Sequence, residues 1–254
     1  MNQVKVQHVD EVDRADEDDP QMVAEYCVPV MQHLRETENE FRACPNYMGN
    51  QVDINEKMRG ILIDWVCEVH LRFRLLPETL FLSVSLIDRF LNKVQVLRSK
   101  LQLVAVAAMF IASKYEELIT PTLSDFAFIA DNAYSKTEIL SMERQILVTL
   151  EFNITVPSAY GFLQRFCKVA KAKKQLFHLA QYLIELTLIE QRMLVYQPSL
   201  IAASALNLAI RILYRELGKW TPTLRQYTGY SEGLLRPCFR DMCVLFTGIE
   251  KCQL

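Results

Sequence analysis

The chain has 254 residues, of which 51% are hydrophobic and 23% are charged, a composition typical of a folded globular protein rather than a disordered one. Its 28 lysines and arginines are nearly balanced by 30 aspartates and glutamates, so the net charge of −2 provides no positive field for binding DNA or RNA. The apolar segment 101–112 is too short to cross a bilayer. We therefore expect neither a nucleic-acid partner nor a membrane partner.

Sequence signatures of catalysis and metal binding are missing. The chain has only seven glycines and contains no glycine-rich phosphate loop, no kinase signature and no hydrolase motif. Its seven cysteines include no Cys-x-x-Cys pair, and its four histidines are isolated from one another along the chain. We therefore predict no catalytic residue, no metal site and no cofactor, and we interpret the cysteines as free thiols.

The first forty residues divide into a polar leader and a helical segment. Residues 1–19 are polar and end in a run of four acidic residues, so we predict a flexible acidic leader. Pro20 follows Asp19, an order typical of a helix start, and the apolar residues of the segment 22–38 recur at helical spacing. This pattern predicts one N-terminal helix within residues 20–40, ahead of the rest of the fold.

Several helices are predicted in the next hundred residues. Asp53 and Glu56 are spaced as a capping box, in which a side chain at the start of a helix and an acid three residues later cap the first turn. Ser135 and Glu138 show the same pattern before another amphipathic segment. Between them, the segment 101–112 is apolar on every side and rich in alanine, which predicts a central helix surrounded by other helices.

The pattern then repeats after a short linker at 152–157. A second alanine-rich apolar segment, 200–213, follows the first by about 100 residues, and the tetrapeptide Thr-Pro-Thr-Leu occurs at 120–123 and again at 221–224. Alternating runs of β-branched residues, which would indicate strands, are missing from the sequence. We therefore predict an all-α protein in which a second lobe copies the first.

Two features of the first lobe indicate a binding surface, although each also has a purely structural interpretation. The helix that starts near Met58 is apolar over more than half its circumference, so it either faces a partner or is covered by a neighbouring helix. Glu143 falls on the apolar stripe of its helix, where an unpaired carboxylate is costly. It either pairs with a cation, for which Lys114 is a candidate, or lies at the surface as an ordinary solvated glutamate.

Four segments of the first lobe carry a family resemblance. They are Met-Arg-Gly-Ile-Leu-Ile-Asp-Trp at 58–65, Ser-Val-Ser-Leu-Ile-Asp-Arg-Phe at 83–90, Lys-Leu-Gln-Leu-Val at 100–104 and Ala-Ser-Lys-Tyr-Glu-Glu at 112–117. In this order they closely resemble the cyclin family, and in particular its mitotic B-type members. The segment Trp-Thr-Pro-Thr-Leu at 220–224 continues the resemblance into the second lobe.

The resemblance implies two tandem five-helix cyclin boxes, at 50–152 and 157–250, preceded by the N-terminal helix. It also implies that the chain is not an enzyme but a regulatory subunit that binds and activates a cyclin-dependent serine/threonine kinase as a heterodimer. Such a subunit would recruit substrates of the kinase and control the G2/M transition of the cell cycle, in the nucleus and cytoplasm. The alternative is a transcription-type cyclin-fold protein that binds transcription factors, which would need a basic face.

The resemblance also implies two sets of site residues. The first set would bind the kinase and consists of Tyr26, Val30, Lys114, Tyr115, Glu116, Glu143 and Leu147. The second set would form a docking patch for substrates and inhibitors that carry an Arg-x-Leu type motif, and consists of Met58, Ile61, Leu62, Trp65, Glu68, Arg98, Leu101 and Gln102. In this patch, apolar side chains would receive the leucine of the motif and Glu68 would receive its basic residue.

Overall fold

The computed structural model describes residues 11–215 and 219–248, and the protein is built from helices in both ranges. These ranges contain eleven α-helices and no strand, which confirms the predicted all-α fold. Buried apolar side chains form two clusters, so the chain has two hydrophobic cores. None of the helices in the described ranges is both long and apolar enough to cross a membrane.

The N-terminal helix, α1, spans Cys27–Thr37 and follows a short 3-10 turn at Ala24–Tyr26. It begins later than the sequence pattern predicts, because the segment from Met22 to the 3-10 turn is not helical. Pro29 explains the difference. Proline has no N–H to donate and is tolerated in the first turn of a helix but not in its interior, and a helix starting at Met22 would place Pro29 in the interior.

The acidic leader is only partly described, since residues 1–10 lie outside the described residues. Within the part that is described, Asp13 is completely buried. Its carboxylate accepts hydrogen bonds from Lys168 Nζ at 2.6 Å and from Arg165 Nη2 at 2.8 Å. Composition alone does not predict these bonds, because both cations lie about 150 residues away in the sequence, and the flexible acidic leader of residues 1–19 stays a prediction.

The first lobe contains five helices in which one central helix contacts the other four. They are α2 (Glu56–Phe73), α3 (Pro77–Lys93), α4 (Leu101–Glu116), α5 (Leu123–Ile129) and α6 (Lys136–Thr149). The central helix is α4, which packs against all the others. Its four alanines are completely buried, so the neighbouring helices approach its backbone closely. This confirms the prediction of a central apolar helix.

The second lobe repeats this plan. Its helices are α7 (Ala159–Val169), α8 (Lys174–Ile189), α9 (Pro198–Tyr214), α10 (Pro222–Thr228) and α11 (Glu232–Gly248). The alanine-rich α9 packs against α7, α8 and α11, as α4 packs in the first lobe. The repeated Thr-Pro-Thr-Leu tetrapeptide lies at the start of α5 and of α10, the fourth helix of each lobe. The predicted repeat of five helices is confirmed.

The two capping boxes predicted from the sequence have different outcomes. Ser135 and Glu138 cap α6 reciprocally, as the spacing predicts. The box at Asp53 is wrong, because the residue that caps α2 is Asn55, whose side chain accepts the Met58 N–H at 3.0 Å. The Asp53 carboxylate instead accepts the backbone N–H of Arg98 at 2.7 Å and holds the turn before α4. Both residues are good caps, so spacing alone could not decide between them.

A buried ion pair joins the two lobes. Arg59 of α2 donates to both carboxylate oxygens of Asp88 of α3 at 2.7 Å, and both side chains are almost completely buried. The same guanidinium donates to the carbonyl oxygens of Leu188 and Ile189, at the end of α8, at 2.9 and 3.0 Å. Because a buried charge is costly unless it is fully paired, this network fixes the first lobe against the second.

The N-terminal helix is anchored on the second lobe. The carboxylate of Glu38, just after α1, accepts the Ser199 N–H at 3.0 Å and its hydroxyl at 2.9 Å in the first turn of α9. The Arg35 guanidinium lies 4.7 Å from the centre of the Tyr230 ring, a cation–π contact. These contacts fix the position of the exposed residues at the start of α1.

Candidate functional site

An acidic and a basic side chain meet on the first lobe. Lys114, in the last turn of α4, donates a hydrogen bond to the carboxylate of Glu143 in the middle of α6. Glu143 is only 9% exposed, so the carboxylate on the apolar stripe has the cation that the sequence requires. The Lys114 side chain is 42% exposed and its Nζ lies 4.1 Å from the centre of the Phe110 ring. The pair is therefore held in place at the surface, within reach of a partner.

Exposed apolar side chains lie near the ends of the two helices that carry this ion pair. Leu118 and Ile119, directly after α4, are almost completely exposed, and Val148 and Phe152, at the end of α6, are each more than half exposed. We call the surface formed by these four residues together with Lys114, Tyr115, Glu116, Glu143 and Leu147 the α4–α6 face. Large exposed apolar side chains grouped in this way are typical of a protein–protein interface. The sequence patterns missed the four residues because each lies next to a helix end, where periodicity gives no signal.

The other predicted residues of the first lobe lie beside the pair. Tyr115 is half exposed, and its hydroxyl contacts the Thr155 hydroxyl of the linker. Burial, together with the neighbouring carboxylates of Glu78 and Glu117, raises the pKa of Glu116. A carboxylate in this position gains from a cation supplied by a partner, because Glu78 and Glu117 carry charges of the same sign.

The remaining predicted kinase-binding residues divide between two places. Leu147 lies one turn after Glu143 on α6 and packs half-buried against the first core. Tyr26, the last residue of the 3-10 turn before α1, and Val30, in the first turn of α1, are each about half exposed. They share no hydrogen bond or ion pair with the α4–α6 face among the described residues. The structure thus groups five of the seven residues on two neighbouring helices and leaves two on the helix anchored to the second lobe.

The predicted docking patch is a partly buried shelf. Leu62 of α2 and Leu101 of α4 belong to the first core, whereas Ile61 is 63% exposed. The residues of intermediate exposure are Met58, Trp65 and Gln102, and the charged residues Glu68 and Arg98 are exposed. Helices α2 and α4 pack against each other, which brings the two halves of the patch together.

Neighbouring helices cover only part of the apolar surface of α2. Ile63 and Val66 are completely buried and make contact within the core, so neighbouring helices do cover one side. Ile61 remains exposed on the other side, and Leu97 and Val52 add exposed apolar surface on the segments that flank the patch in sequence. Sequence periodicity did not single out Leu97 and Val52, because both lie outside helices.

Groups of three or more histidine, cysteine, aspartate or glutamate side chains that could hold a metal ion do not occur in the described part of the chain. The six cysteines within it are free thiols, as the sequence predicts. Burial raises the pKa of the Cys167 and Cys238 thiols to about 12, so both remain protonated at neutral pH. The α4–α6 face presents charged groups, hydrogen-bonding groups and apolar side chains.

Two family models match the chain, one for each lobe. The model of the cyclin N-terminal domain matches residues 29–155. The model of the cyclin C-terminal domain matches residues 157–254. The boundary between the two matches lies in the linker that separates α6 from α7.

Relatives with high sequence identity are mitotic cyclins from distant organisms. A G2/mitotic-specific cyclin-B from Emericella nidulans is 49% identical over 92% of the chain, which covers 48% of that protein. A G2/mitotic-specific cyclin-1 from Medicago sativa is 47% identical over 90% of the chain and 53% of that protein. For a G2/mitotic-specific cyclin-B from Patella vulgata the identity is 43%, over 97% of the chain and 60% of that protein. The chain spans about half the length of the curated relatives it matches.

Solved structures share the fold at lower sequence identity. A viral cyclin from herpesvirus saimiri has a TM-score of 0.78 and 24% identity, covering 86% of this chain and 96% of that chain. A chain of the yeast RNA polymerase II CTD kinase CTDK-1 complex has a TM-score of 0.67 and 14% identity, covering 84% of this chain and 77% of that chain. At these identities the likeness establishes the arrangement of helices alone.

Proposed function

Because the chain belongs to the cyclin family, whose members are regulatory proteins and not enzymes, we propose that it binds and activates a cyclin-dependent serine/threonine kinase as a heterodimer. The observation that carries this proposal is the Lys114–Glu143 pair, held at the surface among exposed apolar side chains. An ion pair on an apolar face suits a protein partner better than a small molecule, since the apolar contacts exclude water and strengthen the polar ones.

The pair can bind the backbone of a partner helix end. The Lys114 ammonium has three donors, of which one is given to Glu143, so the others are available to a carbonyl oxygen. Glu143 has further lone pairs that can accept a backbone N–H. The apolar residues around the pair would hold the αC helix of the kinase inward, which completes the Lys–Glu ion pair of its ATP site and reorders its activation loop. The kinase supplies all the chemistry.

A direct test is the activity of a purified mitotic cyclin-dependent kinase, measured on a short peptide substrate with and without this chain. Activation that saturates at one chain per kinase is the expected result. No stimulation at any concentration would contradict the proposal. Binding to transcription factors without stimulation of the kinase would instead favour a transcription-type cyclin-fold protein, which the net charge of −2 disfavours for DNA contact.

The stage of the cell cycle is proposed as the G2/M transition, in the nucleus and cytoplasm. What supports this is the identity of 43% to 49% with three proteins named as G2/mitotic-specific cyclins. Rapid depletion of the protein in its own cells is expected to arrest them with replicated DNA before mitosis. Arrest before DNA replication would contradict the proposed stage, and imaging of the tagged protein in the same cells tests its location.

The shelf formed by α2 and the start of α4 is proposed to recruit substrates with an Arg-x-Leu type motif. Ile61, Met58 and Trp65 offer partly exposed apolar surface for the leucine, and Glu68 offers a carboxylate for the basic residue. Trp65→Ala is expected to lower kcat/KM about tenfold for a substrate that carries the motif, since a truncated aromatic anchor costs about 1–2 kcal/mol. Short peptides without the motif should be phosphorylated normally.

Gly60→Ala is a matched control on the same helix. A methyl group at Gly60 would meet the Ile189 carbonyl oxygen at 3.6 Å, which is an ordinary contact, and it removes no side chain of the shelf. The kinase activated by this variant should phosphorylate both kinds of substrate normally. If Trp65→Ala lowers kcat/KM equally for both substrates, the shelf does not recruit the motif.

A further inference from the structure

A cationic groove lies on the second lobe, between α9 and α11. It has a volume of about 250 Å³. Its polar and aromatic lining residues are Asn207, Arg211, Glu232, Arg236, Phe239 and Arg240. No residue of the α4–α6 face or of the docking shelf takes part, so the groove is separate from both surfaces described above.

Positive charge is concentrated in this groove although the chain as a whole is slightly acidic. Three guanidinium groups face one carboxylate, whereas the net charge of the chain is −2. Arg236 and Arg240 lie one turn apart on α11, and neither has an ion-pair partner within residues 11–215 and 219–248. Arg211 pairs with Glu232 at 3.3 Å, and both of these side chains are about half exposed. The groove therefore attracts an anion.

A buried amide adds a neutral donor to the groove. Asn207 is only 3% exposed, and its Oδ1 accepts a hydrogen bond from Arg211 Nε at 3.3 Å. The Asn207 Nδ2 group has no hydrogen-bond partner among the described residues, and the side chain lines the groove. This nitrogen is available to donate to an acceptor atom of a ligand that enters the groove.

We propose that this groove binds the phosphate group of a phosphorylated serine or threonine in a partner polypeptide. A phosphate monoester carries a charge of about −1.5 to −2 near neutral pH and three acceptor oxygens, which suits several guanidinium groups and one amide donor. Glu232 already supplies Arg211 with a carboxylate partner, so a second carboxylate gains little from that arginine. Phe239 offers an apolar wall for the peptide residue beside the phosphate.

The proposal does not depend on the kinase partner, because the proposed kinase-binding residues lie in α4, α6, α1 and the 3-10 turn before α1. The groove would give the protein a second way to hold phosphorylated partners, on the lobe that carries neither the α4–α6 face nor the docking shelf. Its test therefore uses the full chain alone and needs no kinase.

Fluorescence anisotropy with a short labelled peptide carrying one phosphothreonine next to a leucine tests the proposal. Binding of the phosphopeptide should be saturable, and inorganic phosphate should compete with it. The unphosphorylated peptide, and the peptide with glutamate in place of phosphothreonine, should each bind with an affinity about tenfold or more lower. Arg236→Gln combined with Arg240→Gln should weaken binding of the phosphopeptide about tenfold or more. Arg225→Gln, which removes an exposed charge of α10 outside the groove, should leave it unchanged.

Asn207→Asp is the second variant, since it keeps the size of the side chain and replaces a donor with a negative charge. It should abolish binding of the phosphopeptide while circular dichroism shows unchanged helical content. Equal affinity of wild type and the double arginine variant would overturn the proposal. So would a glutamate peptide that binds as tightly as the phosphopeptide, or the lack of any saturable binding. Activation of the kinase should be the same for wild type and the double arginine variant, which separates this site from the α4–α6 face.

Discussion

The two lobes share one helical plan but present different surfaces at the same position of that plan. In each lobe the last turn of the central helix carries a cation, Lys114 on α4 and Arg211 on α9. Each cation pairs with an acid, Glu143 in the first lobe and Glu232 in the second. In each lobe the cation also lies over an aromatic ring, at 4.1 Å from its centre in the first lobe and 5.7 Å in the second.

The difference lies in the residues around each cation. In the first lobe the acid is buried and the surroundings are exposed apolar side chains such as Leu118 and Ile119. In the second lobe the acid is half exposed and two further arginines lie nearby. A repeated fold can thus keep the position of a charged side chain while its neighbours change, and this difference underlies the two proposals, an apolar protein partner for one lobe and an anion for the other.

The comparison assumes that the lobes form one unit, and Arg59 tests this with the largest expected effect. Arg59→Ala leaves the Asp88 carboxylate buried without its cation and removes the bonds to the carbonyl oxygens of α8. The free energy of unfolding in urea should fall by about 3–5 kcal/mol. Lys93→Ala is the control, because Lys93 and Glu151 form an exposed pair at 3.8 Å worth at most about 1 kcal/mol. An equal loss of unfolding free energy in the two variants would contradict the conclusion that Arg59 joins the two lobes.

Residues 11–19 are attached to the second lobe through Asp13, and this attachment is a difference between the lobes that can be tested. Burial alone would raise the pKa of Asp13, but hydrogen bonds from Arg165 and Lys168 and their positive charges hold it below its ordinary value of 3.8. A pKa lowered by folding stabilises the folded state above that value, and the stabilisation is lost as the pH falls through the lower, folded-state pKa. The protection of the backbone amides of this segment, measured relative to the intrinsic exchange rate at the same pH, should therefore fall below about pH 4.

Asp13→Asn should remove this acid dependence and cost about 2 kcal/mol of local protection at neutral pH, because hydrogen bonds to a charged group are lost. Asp18→Asn, at an exposed position of the same segment, should behave as wild type in hydrogen exchange. Exchange of residues 11–19 that is as fast in wild type as in Asp13→Asn would show that the segment is a free leader after all.

The smallest predicted difference concerns the caps of the equivalent helices α5 and α10. The Thr122 hydroxyl accepts the Asp125 N–H and also donates to the Asp125 carboxylate, whereas the Thr221 hydroxyl makes one bond, to the Leu224 N–H at 3.1 Å. Thr122→Ala should lower the free energy of unfolding by about 1–2 kcal/mol and Thr221→Ala by about 0.5–1 kcal/mol. A larger loss at Thr221 would reverse the expected order of the two caps.

Much of the fold was predictable because helical periodicity and alanine-rich segments are local signals. The central helices, the repeat and the cap at Ser135 all depend on residues within a few turns of one another. Two features depend on residues that are distant in sequence. The Asp53 carboxylate accepts the Arg98 N–H instead of capping α2, and the burial of Asp13 depends on cations about 150 residues away. The later start of α1 depends instead on Pro29, which lies within the helix.

The candidate site shows the same limit. An unpaired carboxylate on an apolar stripe was enough to predict a cation for Glu143, because the cost of leaving it alone is large. Nothing in the local pattern identified Arg59 and Asp88 as a joint between lobes, since each is a charged residue within an amphipathic helix. The grouping of the arginines of α11 with Asn207 of α9 likewise exists only once the second lobe is folded.

The central claim is that the Lys114–Glu143 pair holds the kinase, and the affinity of purified kinase for the chain tests it most directly. Lys114→Ala and Glu143→Ala should each weaken binding by at least about 2 kcal/mol, with unchanged helical content by circular dichroism. Lys100→Ala is the matched control, because Lys100 and Glu138 form an exposed ion pair at 3.0 Å between the other ends of the same two helices. The binding free energy of this variant for the kinase should stay within about 0.5 kcal/mol of wild type. Wild-type affinity in both Lys114→Ala and Glu143→Ala would contradict the account.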